Sequence, residues 1–434
     1  MPRIPVPRLH ETIMQPLAHH SILTMLAVLL SGLIFVTACS FPEESRLSNT
    51  GHSGSQPTPA SHIEYDIELG ESPWPGEEAA TLAITESIEQ TIKSRYMDNL
   101  LALRHVHTKA HGCVLADFQV NKTLRDEHQH GIFQPSARYK AWIRFSNGGS
   151  DPTAEDKEGD GRGMAIKLMG VPGVKLLTDE NYTQDFMMIN HPVFFINDPQ
   201  KYLSLIQARS SSSLLTRLSA PLSLGIEGSI IAAKISGKKI GNPLYSRYWS
   251  MVPYQLGSGV NRRAMKYSAK PCIQMDNTLP SARPQDPNYL RTAMQQHLST
   301  HDACFEFLIQ TRDTSTPTGA ALSVEMSTSE WEESVAPFFK IATITIPKQD
   351  FDKPAQHKFC ENLSYTPWHS VSEHRPLGGV NRIRKVVYSS IANLRRSMNA
   401  ITPAEPTGNE FFKPDLPRDT EEAIIKRSDE RDYR

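Results

Sequence analysis

Three histidines fall within seven residues of the segment "RHVHTKAHG", namely His105, His107 and His111. If this segment were a strand, its alternation would point all three side chains to one face. Such a face would suit zinc or copper, but no Cys, Asp or Glu stands nearby at ligand spacing, and the first two histidines are too close for a helical ligand pair. A second interpretation makes one histidine a general acid–base, and a third treats all three as ordinary, partly exposed side chains.

Near the C-terminus, the segment "RKVVY" places Arg384 four residues before Tyr388. The surrounding residues 380–396 show helical periodicity, so the two side chains would lie on one face, one turn apart. Taken alone, the pattern also describes an amphipathic helix whose arginines are simply solvated. Its meaning depends on the histidine segment, which lies nearly 300 residues upstream.

The histidine segment resembles the distal haem segment of catalases, in which an R-x-x-H-x-K pattern carries the essential histidine; here it comprises Arg104, His107 and Lys109. Three further segments are similar to catalases in the same order, "WIRFSNG", "DGRGMAIKL" and "NHPVFFINDP". The resemblance covers about residues 101–396 and is strongest to the shortened, catalase-related haem proteins of bacteria. It implies an α+β fold, with a catalase-like antiparallel β-barrel core, flanking helices and a C-terminal proximal haem helix.

The resemblance also implies a cofactor, haem b (iron protoporphyrin IX), with Tyr388 as the axial ligand of the iron. Free tyrosine has a pKa near 10, so the ferric ion and the guanidinium of Arg384 would keep the phenolate anionic. Arg395 occupies the place of a family arginine near a haem propionate. Arg104 and Arg144 would be further partners of the two propionates, which arginine binds bidentately.

On the opposite haem face, the resemblance assigns catalysis to His107, which would move a proton between the two peroxide oxygens. Ser146 would orient this histidine by a hydrogen bond. Val106 and Phe194 would form apolar walls that shape the distal pocket.

One position departs from the catalase pattern. Catalases have two asparagines before the residue that precedes the proline of this segment, and the first positions the peroxide. Here the run is "MINHP", so Ile189 takes the first position and Asn190 the second. We therefore expect the second peroxide to be held less well, and peroxidase-type activity to exceed catalase activity. Asn190 is the candidate catalytic amide.

The predicted function is a haem-dependent peroxidase or catalase-like enzyme that reduces hydrogen peroxide or organic hydroperoxides through a ferryl intermediate, in defence against oxidative stress. One alternative is an enzyme that converts fatty-acid hydroperoxides, like allene oxide synthase. That branch commonly has threonine before the distal histidine, where this chain has Val106. Further alternatives are a non-enzymatic haem-binding lipoprotein and a lipocalin-like barrel without haem. The sequence does not identify the electron donor, and it is compatible with a homo-oligomer.

The N-terminus resembles a bacterial lipoprotein signal peptide. Residues 22–36 form an apolar run after a basic segment, and "VTAC" ends at Cys39, the expected site of lipidation. An uncleaved anchor helix or an ordinary signal peptide are the alternatives. Ser40 is not the aspartate associated with inner-membrane retention, so an exported protein anchored to the outer membrane is favoured. The predicted organisation is a signal peptide (1–38), a flexible tether (39–62), a haem domain (63–400) and a charged tail (401–434).

Composition sets broad limits. The chain has 434 residues, 39% of them hydrophobic, and a net charge of −1, which argues against general nucleic-acid binding. No stretch after residue 40 suggests a membrane span. The remaining cysteines could pair as disulfides in an exported protein or stay as buried thiols, and their spacing fixes no pairing. They are Cys113, Cys272, Cys304 and Cys360.

Local patterns predict a helix over residues 77–103 and helical structure, broken by Ser and Gly, over 201–240. Apolar, aromatic and β-branched runs predict the strands. These are "CVLADFQV", "YKAWIRFS", "GMAIKLMGV", "PVFFIND", "YWSMVPYQLG", "RAMKYSAKPC", "ACFEFLIQTR" and "FKIATITIPKQ".

Overall fold

The computed structural model describes residues 65–97, 100–279 and 286–412, except for the side chains of residues 217 and 218. The predicted signal peptide, the lipidation site Cys39, the tether and most of the charged tail lie outside these residues. The predicted domain boundaries therefore stay predictions.

Nine antiparallel strands form one sheet that closes on itself. They are β1 (Ala110–Val120), β2 (Arg138–Asn147), β3 (Arg162–Met169), β4 (Thr183–Ile189), β5 (Tyr248–Trp249), β6 (Tyr254–Leu256), β7 (Arg263–Pro271), β8 (Ala303–Thr311) and β9 (Phe338–Ile346). The order β5-β4-β3-β2-β1-β9-β8-β7 becomes an eight-stranded ring because β5 also pairs with β7, and β6 continues along the same edge of β7. Closure pairs the edges that an open sheet would expose. The predicted antiparallel barrel is confirmed.

Eight α-helices flank the barrel in the part of the chain that the structure describes. They are α1 (Glu77–Arg95), α2 (Pro199–Ser210), α3 (Leu214–Ser219), α4 (Gly225–Ser236), α5 (Tyr289–Leu298), α6 (Pro317–Ala320), α7 (Pro354–Asn362) and α8 (Gly379–Met398). The helix expected at residues 380–396 is α8. An antiparallel sheet with helices in separate parts of the chain is an α+β fold, as predicted.

The barrel interior is filled by side chains. Phe118, Phe186 and Phe307 are buried there, with ring centroids 5.1 Å apart for the first and third and 4.8 Å for the second and third. Tilted and edge-on aromatic pairs of this kind pack the core of a small barrel without leaving a ligand cavity.

Two predicted elements differ from the structure. The helix expected over 77–103 ends at Arg95, since beyond it Met97 and Leu101 are exposed and would gain no burial from further turns. The segment "PVFFIND" is not a strand. The strand is β4, just before it, whose sequence "TQDFMMI" mixes polar and apolar residues and was not predicted. Helices α5 and α7 were not predicted either.

Helix α8 is fixed at its N-terminal end by a buried ion cluster. The guanidinium of Arg382 pairs with Glu71 at 2.8 Å, Glu77 at 2.6 Å and Glu325 at 2.8 Å. An arginine buried with three carboxylates is costly to disrupt, because removing one partner leaves uncompensated charge. This cluster holds α8 against the start of α1.

Two disulfides pair the four cysteines of the described region: Cys113 with Cys360, and Cys272 with Cys304. The first joins β1 to α7 across 247 positions of sequence. These four cysteines, which the sequence left unassigned, are therefore all disulfide-bonded.

One helical stretch within the described ranges, Leu214–Ser236, is long and apolar enough by length and composition to qualify as a membrane span. The sequence suggested no such stretch after residue 40. The stretch is divided into α3, a 3₁₀ turn over Ala220–Leu224, and α4.

Candidate functional site

His107 lies in the loop that leads into β1, with a left-handed backbone at φ 56°. Its Nδ1 is 3.0 Å from the hydroxyl oxygen of Ser146 on β2, and its backbone N–H donates to the carbonyl of Gly148. A non-glycine residue in this conformation is uncommon and is found where surrounding contacts enforce it. The pair predicted from sequence is therefore formed, and it fixes the orientation of the imidazole.

The pKa of His107 is lowered to about 4, first by burial and then by the guanidinium groups of Arg144 and Arg384. The imidazole is therefore neutral at pH 7. With Nδ1 bonded to Ser146, a neutral ring can present the lone pair of Nε2 to a ligand. This is the state that a general base requires.

Gly163 on β3 lies directly beneath the ring. A Cβ at this position would stand 2.5 Å from His107 Nδ1 and 2.9 Å from the Ser146 hydroxyl. In the sheet, Gly163 pairs with Ser146 on one side and with Ile189 of β4 on the other. Directly paired residues share a face of the sheet. Ile189 is thus an apolar member of the row over which His107 sits.

Asn190 belongs to the next row. Its side-chain oxygen accepts from the backbone N–H of Arg162 at 2.8 Å, and the Arg162 guanidinium donates to Asn147. Asn190 Nδ2 makes no hydrogen bond to other residues that the structure describes. A catalytic role for Asn190 stays a prediction. Its side-chain oxygen already accepts a hydrogen bond from the backbone of β3.

The other two histidines do not join His107. His111 is fully buried on β1, with Nε2 at 2.8 Å from Asn147 Oδ1, and burial holds its pKa well below the usual range. His105 is half-buried in the loop, and burial lowers its pKa to about 4. The single strand face considered from the sequence is wrong, because β1 begins only at Ala110.

Glu180, Asp185 and His369 offer ligand atoms within 4.8 Å of one another in the described region. The ammonium of Lys167 already lies among them, 2.8 Å from Asp185 and 3.2 Å from His369 Nδ1. A lysine is the cation of this cluster, so we assign it a structural role.

The residues predicted for the proximal side of the cofactor lie on α8. The guanidinium of Arg384 is buried, lies 5.5 Å from the ring centroid of Phe194, and bonds to Asn381 Oδ1 at 3.4 Å. Burial opposes its charge, but the neighbouring phenols, Tyr388 first, outweigh this and raise the pKa of Arg384. Tyr388 is half-buried one turn further on, as predicted. Phe194 belongs to the predicted distal segment, so this contact joins the two segments that were predicted to lie on opposite sides of the pocket.

Three arginines predicted to bind propionates converge on one carboxylate, Glu361 at the end of α7. Arg104 lies 2.5 Å and Arg144 3.6 Å from Glu361 Oε2, while Arg395 lies 2.6 Å from Oε1. Among the described residues this arginine cluster therefore has one counter-charge for three guanidinium groups. Burial, followed by repulsion from Arg104, lowers the pKa of Arg144 to about 9 and of Arg395 to about 10.

The cluster fits a dianionic group. Two positive charges are uncompensated, and Arg144 Nε is buried without a hydrogen-bond partner. Haem carries two propionates, and arginine pairs with carboxylates in bidentate geometry. On this observation the residues present suit the predicted cofactor.

Val106 is 41% exposed beside His107, and Phe194 contacts Phe195 in a tilted arrangement with ring centroids 4.4 Å apart. Their roles as pocket walls stay predictions. Glu361 was missed in the sequence, since no local pattern marks a carboxylate whose partners lie 34 to 257 positions away. The preceding residue, Cys360, was noted in the sequence as a cysteine that could form a disulfide, but it did not point to Glu361.

The comparisons with known proteins bear on the fold. The catalase family model matches residues 81–215, which include the loop that carries His107, strands β1 to β4 and helix α2. Among solved structures, a fungal catalase aligns with a TM-score of 0.53 at 17% identity, over 68% of this chain and 60% of that chain. Catalase A from Saccharomyces cerevisiae aligns with a TM-score of 0.54 at 19% identity, over 72% and 66%.

The chain has a catalase-like fold. A bacterial catalase also aligns, with a TM-score of 0.54 at 13% identity, over 87% of this chain and 74% of that chain. At these low identities the alignments show a shared fold. The chain spans less than two thirds of the length of the first two catalases. A comparison with curated protein sequences finds no match.

Proposed function

We propose that the protein is a haem-dependent, peroxidase-type enzyme that reduces hydrogen peroxide or an organic hydroperoxide. The observation that carries this proposal is the neutral His107, fixed by Ser146 over Gly163. A carrier or storage protein has no need for an acid–base residue held in a left-handed backbone conformation. The catalase-like fold supports the same reaction class by analogy.

The cofactor would be haem b. Tyr388 would bind the iron, Arg384 would keep the phenolate charged, and the arginine cluster of Arg104, Arg144 and Arg395 would hold the propionates. Phe194 and Val106 would line the distal side. When bound, haem supplies the redox chemistry that cleaves the O–O bond.

The residues of the chain supply the proton transfer. In the tautomer with a proton on Nδ1, His107 would donate to Ser146, which would leave Nε2 unprotonated and able to take a proton from one oxygen of the peroxide. His107 then returns that proton to the departing oxygen, which leaves as water or as an alcohol. Because the ring cannot rotate away from Ser146 and Gly163, the same nitrogen serves both steps.

Ile189 favours peroxidase-type activity over efficient catalase activity. It occupies the sheet row of Ser146 and Gly163, where an amide would bind a second peroxide. A second peroxide bound without that amide is oxidised slowly, so an external electron donor would complete the cycle. The same apolar row supports a second candidate, conversion of a fatty-acid hydroperoxide, for which Ile189 offers contact with an alkyl chain.

We further propose that the enzyme is exported and lipid-anchored at Cys39 on the periplasmic side of the outer membrane, as a scavenger of peroxide. The two disulfides support an oxidising compartment.

The absorption spectrum tests the proposal. Purified protein, or protein reconstituted with haemin, should show a Soret band and the features of a ferric haem bound by phenolate. Tyr388→Phe should lose haem or shift the spectrum, whereas the exposed Tyr182→Phe should not. Absence of a Soret band after reconstitution would refute the cofactor.

Activity assays separate the candidates. Oxygen release from hydrogen peroxide, oxidation of a dye donor and turnover of a lipid hydroperoxide should be measured side by side. Vigorous oxygen release would contradict the argument from Ile189. Ile189→Asn should raise oxygen release relative to dye oxidation.

A further inference from the structure

Five large apolar side chains on the helical segment 214–236 are exposed, with 51% to 84% of their surface accessible. We call this surface the apolar cap; it consists of Leu214, Leu215, Leu222, Ile226 and Ile230. Contiguous exposed apolar surface on a folded domain marks a binding site more often than isolated exposed residues do.

Helix α4 is apolar on two sides, and its inner side already has a partner. Gly228 allows close packing on the carbonyl of Phe195, Ile231 is buried, and Ile235 contacts the barrel core. Ile226 and Ile230 are one turn apart on the opposite side. No residue within the described ranges covers them, so the fold itself does not explain their apolar character.

The stretch of chain around the apolar cap is basic, although the segment 214–236 itself carries only Arg217 and Lys234 against Glu227. Residues 201–240 contain six Lys or Arg and one acidic residue, Glu227, in a chain whose net charge is −1. An isologous contact between two copies would bring this excess of positive charge against itself. An anionic phospholipid surface instead complements both the charge and the apolar side chains.

The apolar cap adjoins the distal side of the candidate site. Helix α4 packs on Phe195, and Lys238 donates to the backbone carbonyl of Asn190. Phe194 lies in the segment between Asn190 and Phe195. A bilayer in contact with the cap would therefore lie next to the segment that forms the distal wall.

We propose that the apolar cap docks the domain onto an anionic phospholipid bilayer. A lipid on Cys39, as predicted from the sequence, would keep the domain close to a membrane. The cap would add a second, oriented contact. Docking does not depend on the peroxidase function. Only its consequence, that apolar hydroperoxides enter from the bilayer, rests on that function.

Site-specific fluorescence tests the docking. The full chain is placed in vesicles of phosphatidylethanolamine and phosphatidylglycerol, with the fluorophore nitrobenzoxadiazole on Leu222→Cys or Ile226→Cys. Val260→Cys, at a position that is 96% exposed, is the matched control, and the parent chain gives the background from Cys39. We expect blue-shifted emission and roughly two-fold more quenching by doxyl phospholipids at the cap than at the control.

Equal quenching at the cap and at Val260 would overturn the proposal. So would a blue shift without lipid quenching that grows with protein concentration, because this would indicate contact between copies. Ile226→Lys with Ile230→Lys should abolish quenching at position 222, and persistent quenching would refute the role of the cap. Lys234→Gln and Lys239→Gln should each weaken docking roughly five-fold. The Soret band is measured in parallel, so a failure of haem binding is distinguished from a failure of docking.

Discussion

Replacing Glu361 by glutamine removes the single carboxylate that the described residues contribute to the arginine cluster. Arg104 and Arg395 each lie within 2.6 Å of its oxygens, and Arg144 lies at 3.6 Å. The two haem propionates would need the same guanidinium groups. If haem binds as proposed, Glu361 would compete with the propionates for these guanidinium groups.

The magnitude follows from the ion pairs. Breaking a buried pair by removing one partner costs about 3–5 kcal/mol, and the 17% exposure of Glu361 favours the lower figure. Glu361→Gln should thus destabilise the haem-free protein by about 3 kcal/mol. If haem binding restores about 2 kcal/mol of this lost stability, because the propionates replace the missing carboxylate, the variant should bind haem roughly thirty-fold more tightly than the wild type does.

The assay is titration of haem-free protein with haemin, followed at the Soret band, together with urea unfolding. Glu333→Gln is the control, since it removes an exposed carboxylate 3.0 Å from Arg247. Haem dimethyl ester lacks the propionate charges, so it should bind the wild type and Glu361→Gln equally. Weaker haemin binding by the variant, or the same gain with the ester, would refute competition and make Glu361 an orienting residue.

Three more predictions follow from contacts in the barrel and around it. Gly163→Ala should displace the ring of His107, because the new Cβ would stand 2.5 Å from Nδ1; activity and the His107 environment in NMR spectra should change while circular dichroism does not. Burial lowers the pKa of His374 from 6.5 to about 4, so the unfolded state binds more protons between these values and stability falls as pH drops through that window. His374→Gln should reduce the loss by about 3 kcal/mol, and an unchanged pH dependence of urea unfolding would contradict this assignment. Replacing Cys113 and Cys360 by alanine opens a loop of 247 positions and should cost about 5 kcal/mol, against about 4 kcal/mol for the other disulfide, which spans 32. Equal urea midpoints for the variant and the wild type would contradict the loop-entropy argument.

Several elements could be predicted from sequence because their signals are local. Strands β1 to β3 and β7 to β9 carry runs of apolar, aromatic and β-branched residues, and α8 has a clear helical period. The spacing of Arg384 and Tyr388 within one turn is likewise a local property. The order of the distal segments was enough to indicate the catalase-like fold.

Other features depended on tertiary structure. His105, His107 and His111 are close in sequence, yet the loop and β1 send them to different environments, and only one bonds to Ser146. The alternation of β4 decides that Ile189 shares the row of Ser146 while Asn190 does not. A one-residue difference in register would exchange these positions.

The chemical groups were thus determined by the sequence, and their partners by the fold. Residue types and local periods reveal an imidazole, a phenol and three guanidinium groups in suitable segments. The pairing of Cys113 with Cys360 and the convergence of the arginine cluster on Glu361 join segments up to 257 positions apart. Such contacts form only when the barrel closes and α7 packs against it, so no local pattern encodes them.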